Sequence, residues 1–340
     1  MNKIMAEDIK VICSSDLDWK KLDGKTFLVT GANGFIPSYI IETLLYLNDN
    51  TFKNKSKIIG LARNHEKTEK RFKKYLKRDD LSFIFQDVCI PVNKIEVDYV
   101  IHAASQASPK YYGKDPIGTF TANAIGTYNL LKNVIFKEFI FISSSEVYGK
   151  SEKQPISEDD FGALDPAVVR SCYAEGKRAA ETLLVSWKYQ YGIKAKIVRP
   201  FHTYGPGISL DDGRVYADFV SCIVKNKDII LNSEGKDKRA FCYITDFISG
   251  FFTVLIKGDS LAYNIGNDDA ESSIIDLANT LVSMYPEKKL KVVVNAKPAE
   301  GYLKSKVSRN CPDTTKLRKL GWKPQVAIDA GFKRMVESNA

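Results

Sequence analysis

The sequence contains no run of about 20 apolar residues, the length that a membrane-spanning helix needs. Its first residues, MNKIMAED, include no apolar signal region. We therefore expect a cytoplasmic protein that has no membrane partner. The 340 residues suffice for one large α/β domain, or for a large and a small domain that share a cleft.

Metal ligands and paired cysteines are also scarce. The six cysteines are scattered without a Cys-x-x-Cys pair, and the chain has only three histidines. This scarcity argues against a zinc site and against a disulfide framework. We expect free, mostly buried thiols and no bound metal.

Positive charge, in contrast, is abundant, and the formal net charge is +9. The densest basic stretch, HEKTEKRFKKYLKR, occupies residues 65–78 and is interrupted by two glutamates. Phe72, Tyr75 and Leu76 recur in it at helical spacing, which predicts an amphipathic helix with a solvated basic face. No zinc-finger or RNA-binding signature accompanies this helix, so we expect no nucleic-acid partner. A basic surface instead favours an anionic small-molecule substrate.

Apolar runs alternate with helix-like segments over the first 200 residues. The sequence predicts strands at 25–30, 57–62, 81–85, 98–104, 138–143 and 194–200, and helices from Gly34 to about 47, over 116–136 and near 172–191. Such alternation is typical of a parallel sheet that is covered by helices on both faces. The predicted fold is therefore α/β, a Rossmann-type doubly wound parallel sheet.

The same pattern suggests how the chain is divided into domains. Residues 1–23 form a polar N-terminal extension, and residues 24–200 form the predicted dinucleotide-binding Rossmann domain. Beyond residue 200 the alternation weakens, so residues 201–340 are expected to form mainly a smaller substrate-binding domain. That domain would cover the carboxyl edge of the sheet, where open α/β sheets bind ligands. Segments near 240–266 are expected to return to the Rossmann core.

The stretch TGANGFIPSYI, at residues 30–40, looks like a phosphate-binding glycine loop in which the third glycine is missing. Gly31 and Gly34 follow a predicted strand and open a predicted helix, which is the context that a dinucleotide loop requires. Pro37 takes the next position of the pattern. Proline is tolerated there because the N–H groups of the first helical turn have no helical partner. Taken alone, the motif also fits a purely structural turn.

Arg63 follows the second predicted strand, where an acidic residue would bind the ribose hydroxyls of NAD. An arginine at this position suits a 2′-phosphate, which favours NADP over NAD. Alternatively, the arginine stacks on adenine, which would serve either cofactor.

Tyr173 and Lys177 are four residues apart in SCYAEGKRAAE, so a helix places both side chains on one face. A lysine beside a phenol favours the phenolate, and Tyr173 is expected to act as a general base near neutral pH. Upstream, a predicted strand leads into Ser144, Ser145 and Glu146, at the ligand-facing edge of the sheet. A hydroxyl there can bind the reacting substrate oxygen, and a carboxylate can assist proton movement.

Together these residues resemble the extended short-chain dehydrogenase/reductase family, which includes nucleotide-sugar epimerases, dehydratases and decarboxylases. The likeness covers nearly the whole chain after residue 24. Besides the glycine loop and the Tyr173/Lys177 pair, the matching motifs are IHAAS at 101–105, Asn123 with Gly126 and Thr127, SSSEVYG at 143–149, RPFHTYGPG at 199–207, DGRV at 212–215, KRAFCYITD at 238–246, YNIGN at 263–267 and LGWKP at 320–324.

The resemblance implies an enzyme whose cofactor takes a hydride from sugar C4 while Tyr173 removes the hydroxyl proton. Lys177 would assist the tyrosine and bind the cofactor ribose, and Ser144 would be the helping hydroxyl beside Ser145 and Glu146. Arg239 would bind the nucleotide diphosphate or the sugar through charge-assisted hydrogen bonds.

The resemblance also implies two sets of ligand contacts. The expected cofactor contacts are Gly31, Asn33, Gly34, Phe35, Ile36, Arg63, Asp87, Val88, Ala103, Ala104, Asn123, Ser143, Tyr173, Lys177, Pro200 and His202. The expected substrate contacts are Ser105, Ser144, Glu146, Tyr173, His202, Arg214, Val215, Arg239 and Asp313.

Within the family, 4,6-dehydratases carry an aspartate where this chain has Ser145, which disfavours dehydration. The Ser-Ser-Glu trio, Arg239, ASQASPKYY and DGRV look most like the UDP-glucuronate decarboxylases. In those enzymes C4 oxidation makes a β-keto acid, carbon dioxide leaves and the same hydride returns. Three positions differ from that group, because His202 replaces an asparagine, Gly207 an arginine and Arg63 the acidic ribose ligand.

Three functions remain open at this point. The first is redox-neutral chemistry on a nucleotide sugar, by decarboxylation or epimerisation, in the biosynthesis of surface-polysaccharide sugars. The second is net reduction of a 4-keto-6-deoxy sugar by NADPH, and the third is non-catalytic nucleotide binding on the same fold. Family members commonly dimerise through paired helices, here those near 116–136 and 171–191, so we expect a homodimer.

Overall fold

The protein is described by a computed structural model that covers residues 2–92, 94–295 and 307–340. Its strands are β1 (Thr26–Thr30), β2 (Lys57–Ala62), β3 (Leu81–Phe85), β4 (Ile95–His102), β5 (Val134–Ile142), β6 (Lys194–Pro200), β7 (Thr203–Tyr204), β8 (Ile229–Leu231), β9 (Lys238–Ala240), β10 (Cys242–Tyr243), β11 (Ala262–Ile265), β12 (Glu271–Ser273), β13 (Val292–Val294) and β14 (Arg309–Asn310). Its α-helices are α1 (Lys3–Cys13), α2 (Phe35–Asn50), α3 (His65–Phe72), α4 (Pro116–Asn133), α5 (Ser171–Tyr191), α6 (Val215–Val224), α7 (Ile244–Lys257), α8 (Ile274–Ser283), α9 (Thr315–Arg318) and α10 (Ile328–Glu337).

Seven parallel strands form the central sheet, in the order β11-β6-β5-β4-β1-β2-β3. The order reverses between β1 and β4, which creates the crevice where doubly wound sheets bind ligands. The predicted Rossmann-type fold is confirmed. β11 reaches the sheet from the C-terminal half of the chain and pairs with β6.

Both faces of the sheet are buried, which explains why its strands have nearly continuous apolar sequences. On β1, Phe27 and Val29 belong to one apolar cluster, while Leu28 belongs to the cluster on the opposite face. Successive strand residues point to opposite faces, so two helical layers cover the sheet.

The predicted helix over 116–136 is too long at its C-terminal end. α4 ends at Asn133, and β5 begins directly at Val134, which pairs with Ile95 of β4. The helix passes directly into the strand. The amide of Val134, the first residue of β5, still donates a helical hydrogen bond to the carbonyl of Leu130. Sheet pairing of the apolar residues after Asn133 outweighs continuation of the helix.

The basic stretch is helical over a shorter range than predicted. α3 ends at Phe72, and a single turn of 3-10 helix follows at Lys73–Tyr75. Phe72 is fully buried, whereas Leu76 is exposed, so the predicted apolar face does not include Leu76.

The N-terminal extension contains a packed helix, since α1 contacts both α2 and α7. The carboxylate of Asp8 is buried and accepts hydrogen bonds from the hydroxyls of Tyr39 and Tyr243 and from the guanidinium of Arg334. The Tyr39 hydroxyl also lies 3.1 Å from the carbonyl oxygen of Pro206. α1 therefore joins α2 to the C-terminal part of the chain.

Small sheets and α6 stand over the carboxyl edge of the central sheet. β7 pairs with β10, β8 with β13, and β9 lies between β12 and β14. A cleft of about 1420 Å³ separates these elements from the strand ends. No helix within the described ranges is long and apolar enough to cross a membrane.

Candidate active site

The glycine loop forms one end of the cleft. Gly31 has φ of +67°, and a Cβ added there would lie 2.9 Å from the Cα of Ala104. Gly34 precedes α2 and has no side chain that would cover the free N–H groups of the first turn. The loop therefore presents bare backbone beside a helix N-terminus, which fits the pyrophosphate of a dinucleotide.

Pro37 is the third residue of α2, within the first turn as expected. Its ring is buried and packs toward Gly34, because a Cβ on Gly34 would lie 3.2 Å from Pro37 Cγ. Pro37 therefore costs no helical hydrogen bond, and it adds a steric reason for glycine at residue 34.

A hydroxyl under the loop fixes the end of β4. The hydroxyl oxygen of Thr30 accepts hydrogen bonds from the amides of Ala103 and Ala104, and it lies 2.7 Å from Nδ1 of His102. Burial lowers the pKa of His102 to about 3, so the buried ring is a neutral imidazole. These bonds end β4 two residues earlier than predicted and place the backbone of Ala103 and Ala104 against Gly31.

Arg63 lies at the outer end of the cofactor half of the cleft, with 58% of its side chain exposed. Its Nη1 is 3.2 Å from Oδ2 of Asp87. Burial opposes ionisation of Asp87, but bonds from the Cys89 amide and from Arg63 hold its pKa below the usual value. Asn64 and Lys67 line the same corner.

Tyr173 and Lys177 lie in the first two turns of α5, and both side chains are buried and line the cleft. Lys177 Nζ donates to the carbonyl of Ile142 at 2.6 Å and lies 5.8 Å from the ring centroid of Tyr173. Burial lowers the pKa of Lys177 to about 7. Burial also raises the pKa of Tyr173 to about 12, although a hydrogen bond with Ser144 opposes the rise. Desolvation is the largest influence on the pKa of this phenol, and the role of Tyr173 as a general base stays a prediction.

The three serines after β5 have different partners. Ser143 donates to Oε1 of Glu181 at 2.5 Å, whereas the Ser144 hydroxyl accepts from the amide of Glu146 at 3.1 Å. The Ser145 hydroxyl accepts from Nδ2 of Asn310 at 3.1 Å. Of the three serines, Ser144 is the one whose hydroxyl hydrogen-bonds Tyr173.

Glu146 is held by an arginine that the sequence motifs did not single out. Arg170 Nη1 lies 2.9 Å from Oε2 of Glu146, and Nη2 lies 3.1 Å from Oε1. The Arg170 guanidinium also lies 5.6 Å from the ring centroid of Tyr112, which itself stacks on Tyr173. The carboxylate therefore belongs to an ion pair at the wall of the cleft.

The substrate half of the cleft is also rich in arginine. Arg214 pairs with Asp212 at 2.8 Å and donates to the carbonyl of Ala107 at 2.8 Å. Arg239 lines the cleft, and its guanidinium donates to the carbonyls of Val307 and Ser308. Desolvation lowers the pKa of His202 to about 3, so this cleft residue is a neutral imidazole.

Most of the expected ligand contacts lie together in the cleft. Of the expected site residues, those that line the cleft are Gly31, Asn33, Gly34, Phe35, Ile36, Arg63, Asp87, Val88, Ala103, Ala104, Ser105, Ser143, Ser144, Ser145, Glu146, Tyr173, Lys177, Pro200, His202, Arg214, Val215 and Arg239. Their positions agree with the sequence-based expectation, and their individual roles stay predictions.

Two expected contacts lie elsewhere in the structure. Asp313 does not line the cleft, because its carboxylate accepts from the amide of Thr315 at the start of α9. Asn123 is fully buried in α4, where its amide donates to the carbonyl of Thr119. Oδ1 of Asn123 is buried and has no hydrogen-bond partner within the described residues, and the expected ligand contacts of Asn123 and Asp313 both stay predictions.

Arg170 and Asn310, which the sequence analysis did not single out, also line the cleft, as do Gln106, Ser108 and Tyr112 of the ASQASPKYY motif and Asp212 of the DGRV motif. A signal for Arg170 was present, since it precedes Tyr173 by three residues at the start of the same helix. Residues at that spacing lie on one face of a helix.

Comparison with known proteins shows which family the chain resembles. The family model described as "NAD dependent epimerase/dehydratase family" matches residues 27–266. UDP-glucuronic acid decarboxylase 5 of Arabidopsis thaliana is 34% identical over 315 residues, which cover 91% of this chain and 88% of that protein. UDP-glucuronic acid decarboxylase 1 of Xenopus tropicalis is 31% identical over 320 residues, which cover 92% of this chain and 72% of that protein.

Solved structures share the fold over most of their length. UDP-glucuronic acid 4-epimerase from Bacillus cereus, in complex with UDP-glucuronic acid and NAD, has a TM-score of 0.77 at 23% identity and covers 92% of this chain and 98% of that one. UDP-glucose 4-epimerase from Thermotoga maritima, with UDP-glucose, has a TM-score of 0.76 at 24% identity and covers 92% and 98%.

Proposed function

The chain belongs to the NAD dependent epimerase/dehydratase family, and from this membership we propose that it is an enzyme that modifies a nucleotide sugar by dinucleotide-dependent oxidation at sugar C4. One observation carries the proposal, namely that Tyr173, Lys177 and Ser144 line the same cleft as the glycine loop. Binding alone would not require a buried tyrosine and lysine on one helical face beside a serine hydroxyl, which argues against a non-catalytic protein.

The favoured reaction is redox-neutral, and decarboxylation of UDP-glucuronate is its best-supported form. A dinucleotide held at the glycine loop would supply the acceptor for the C4 hydride and the source of its return. Oxidation at C4 gives a β-keto acid, the bond between C5 and the carboxylate breaks, and the electron pair left on C5 takes up a proton. The relatives named above that exceed 30% identity are UDP-glucuronic acid decarboxylases, which supports this choice.

In this reaction Tyr173 accepts the proton of the C4 hydroxyl, while Ser144 hydrogen-bonds the same oxygen. Burial is the largest cause that raises the pKa of Tyr173 to about 12, so its deprotonation needs neighbouring positive charge. Arg214 acts in that direction, and Lys177 lies on the same face of α5. Arg214 and Arg239 would hold the diphosphate of the substrate.

Mass spectrometry tests the reaction directly. Purified protein is incubated with UDP-glucuronate and either NAD or NADP, alongside the Tyr173→Phe variant. Loss of carbon dioxide to give a UDP-pentose, abolished in the variant, is the expected result. An unchanged mass would overturn decarboxylation, and chromatography would then reveal an epimer, which has the mass of the substrate.

One observation favours a second candidate, the NADPH-dependent reduction of a 4-keto-6-deoxy nucleotide sugar. Arg63, Asn64 and Lys67 line the corner where the adenosine ribose of a dinucleotide would lie, and this polar, basic corner suits a 2′-phosphate. We therefore propose NADP as the preferred cofactor. Consumption of NADPH by the protein with such a 4-keto sugar, and no conversion of UDP-glucuronate, would select this candidate.

We also propose a homodimer formed by α4 and α5. These helices pack on one another and still expose apolar side chains, namely Ile117, Phe120, Ile125, Tyr128, Val185, Tyr189 and Tyr191. Exposed apolar side chains clustered in this way mark protein–protein contacts. Light scattering after gel filtration should give twice the chain mass, and Ile125→Glu should reduce it to one chain.

A further inference from the structure

Two arginines neutralise carboxylates that act on the proposed base. Glu146 and Asp212 are both close enough to Tyr173 to raise its pKa. Asp212 pairs with Arg214, and Glu146 is held at both oxygens by Arg170. The negative charges of Glu146 and Asp212 are therefore each paired with an arginine.

The position of Arg170 is set by more than its ion pair. Its side chain is 21% exposed, and its guanidinium packs over the ring of Tyr112, which stacks on Tyr173. A planar guanidinium that binds both oxygens of a carboxylate and packs on a ring has a fixed orientation. Arg170 and Glu146 both line the cleft, so a ligand beside Tyr173 would meet this pair.

We propose that Arg170 is a specificity-determining residue that lets the cleft accept a sugar bearing a carboxylate. This inference rests on the proposed function, because it assumes that a nucleotide sugar binds beside Tyr173. Without Arg170, the carboxylate of a uronate would face the carboxylate of Glu146 in a partly buried site, where like charges repel strongly. Arg170 cancels that repulsion by neutralising Glu146. A neutral hexose carries no such charge and does not depend on Arg170.

Isothermal titration of UDP-glucuronate and UDP-glucose tests the inference. The titrations use protein saturated with NADP in a Tyr173→Phe background, so that neither sugar is converted. Arg170→Gln should weaken the binding of UDP-glucuronate about tenfold or more, and should change the affinity for UDP-glucose by less than about threefold. Arg170→Lys keeps the charge but loses the two-pronged geometry, so it should retain part of the preference.

A double variant separates charge neutralisation from direct contact. If Arg170 acts through Glu146, the Glu146→Gln/Arg170→Gln protein should recover affinity for UDP-glucuronate, since no uncompensated carboxylate remains. Failure to recover would overturn the proposed role, because it would mean that Arg170 contacts the substrate itself.

The neutral sugar serves as the internal control for folding. An equal loss of both ligands in Arg170→Gln would overturn the specificity role and leave the proposed function intact. If the Tyr173→Phe parent bound neither UDP-sugar, the proposed function would fail, and the inference would fail with it.

Discussion

The ring of Tyr112 lies flat against the ring of Tyr173, with centroids 5.0 Å apart and an angle of 15° between the planes. Tyr112 comes from the segment between β4 and α4, whereas Tyr173 lies on α5. The stack therefore connects the loop that lines the substrate half of the cleft to the proposed base. Stacked aromatic pairs contribute roughly 0.5–1.5 kcal/mol beyond the burial of their area.

Loss of this stack should impair turnover. We expect Tyr112→Leu to lower kcat about tenfold, because a free-energy difference of about 1.4 kcal/mol in the positioning of Tyr173 changes the rate by that factor. Tyr112→Phe keeps the ring and loses only the hydroxyl bond to the carbonyl of Ala107, so it should stay near wild type. Steady-state kinetics of both variants measure the two values of kcat. Equal losses of kcat would assign the effect to the hydroxyl.

The buried ammonium of Lys177 should make stability depend on pH. Its folded pKa of about 7 lies below the unfolded value of about 10.4, so the unfolded chain binds more protons between these values. The cost of burying the charge is therefore fully present below pH 7 and disappears as pH rises toward 10.4.

Lys177→Met should reveal this cost. Its free energy of unfolding relative to wild type should fall by on the order of 4 kcal/mol between pH 6 and pH 10, as the wild type loses its buried charge. Urea unfolding at both pH values measures the difference, with Lys188→Met on the exposed side of the same helix as the control. A difference that does not change with pH would contradict the lowered pKa.

Arg63 should distinguish the two dinucleotides. We expect Arg63→Ala to weaken the binding of NADPH by about tenfold or more, the effect of losing a hydrogen bond to a charged group. The affinity for NADH should change far less. Fluorescence titration of both cofactors gives the two dissociation constants. A parallel loss for both would instead indicate that Arg63 stacks on adenine.

Gly31 and Gly192 form a matched pair for the glycine loop. Their φ values are +67° and +66°, but a Cβ would meet the backbone of Ala104 at Gly31 and nothing within 4 Å at Gly192. Gly192→Ala should therefore cost only the backbone strain, about 1–2 kcal/mol. Gly31→Ala should add a steric clash and abolish dinucleotide binding, as measured by NADH fluorescence. Retained binding in Gly31→Ala would show that the loop can move away from Ala104.

Most strands of the central sheet could be predicted because strands and helices each have a residue pattern that is local in the sequence. The strands at 57–62, 81–85 and 194–200 have the predicted bounds, since each has an apolar centre (IIGLA, FIF and IV) that is followed by polar or proline residues. The end of α4 could not be located, because the helix passes into β5 without a turn. The decisive information there is the pairing of Val134 with Ile95, which is not local in sequence.

Site residues that belong to a sequence motif were predicted. Residues that the fold alone brings to the site were not. Tyr173, Lys177 and Ser144 stand in recognisable spacings, and all three line the cleft. Arg170 and Tyr112 acquire their importance only when the loop after β4 meets the start of α5. The expected contact of Asp313 had no motif of its own, and its carboxylate accepts from the amide of Thr315 at the start of α9.

The buried carboxylate of Asp8 has a consequence for cooperativity. It accepts hydrogen bonds from Tyr39 on the first Rossmann helix, from Tyr243, and from Arg334 on the last helix. Unfolding of either half alone would leave the charge of Asp8 or of Arg334 without its partners, which costs free energy. The two halves should therefore unfold together. Calorimetry should therefore record one heat-absorption peak for the whole chain, and a bound dinucleotide should shift that single peak to higher temperature.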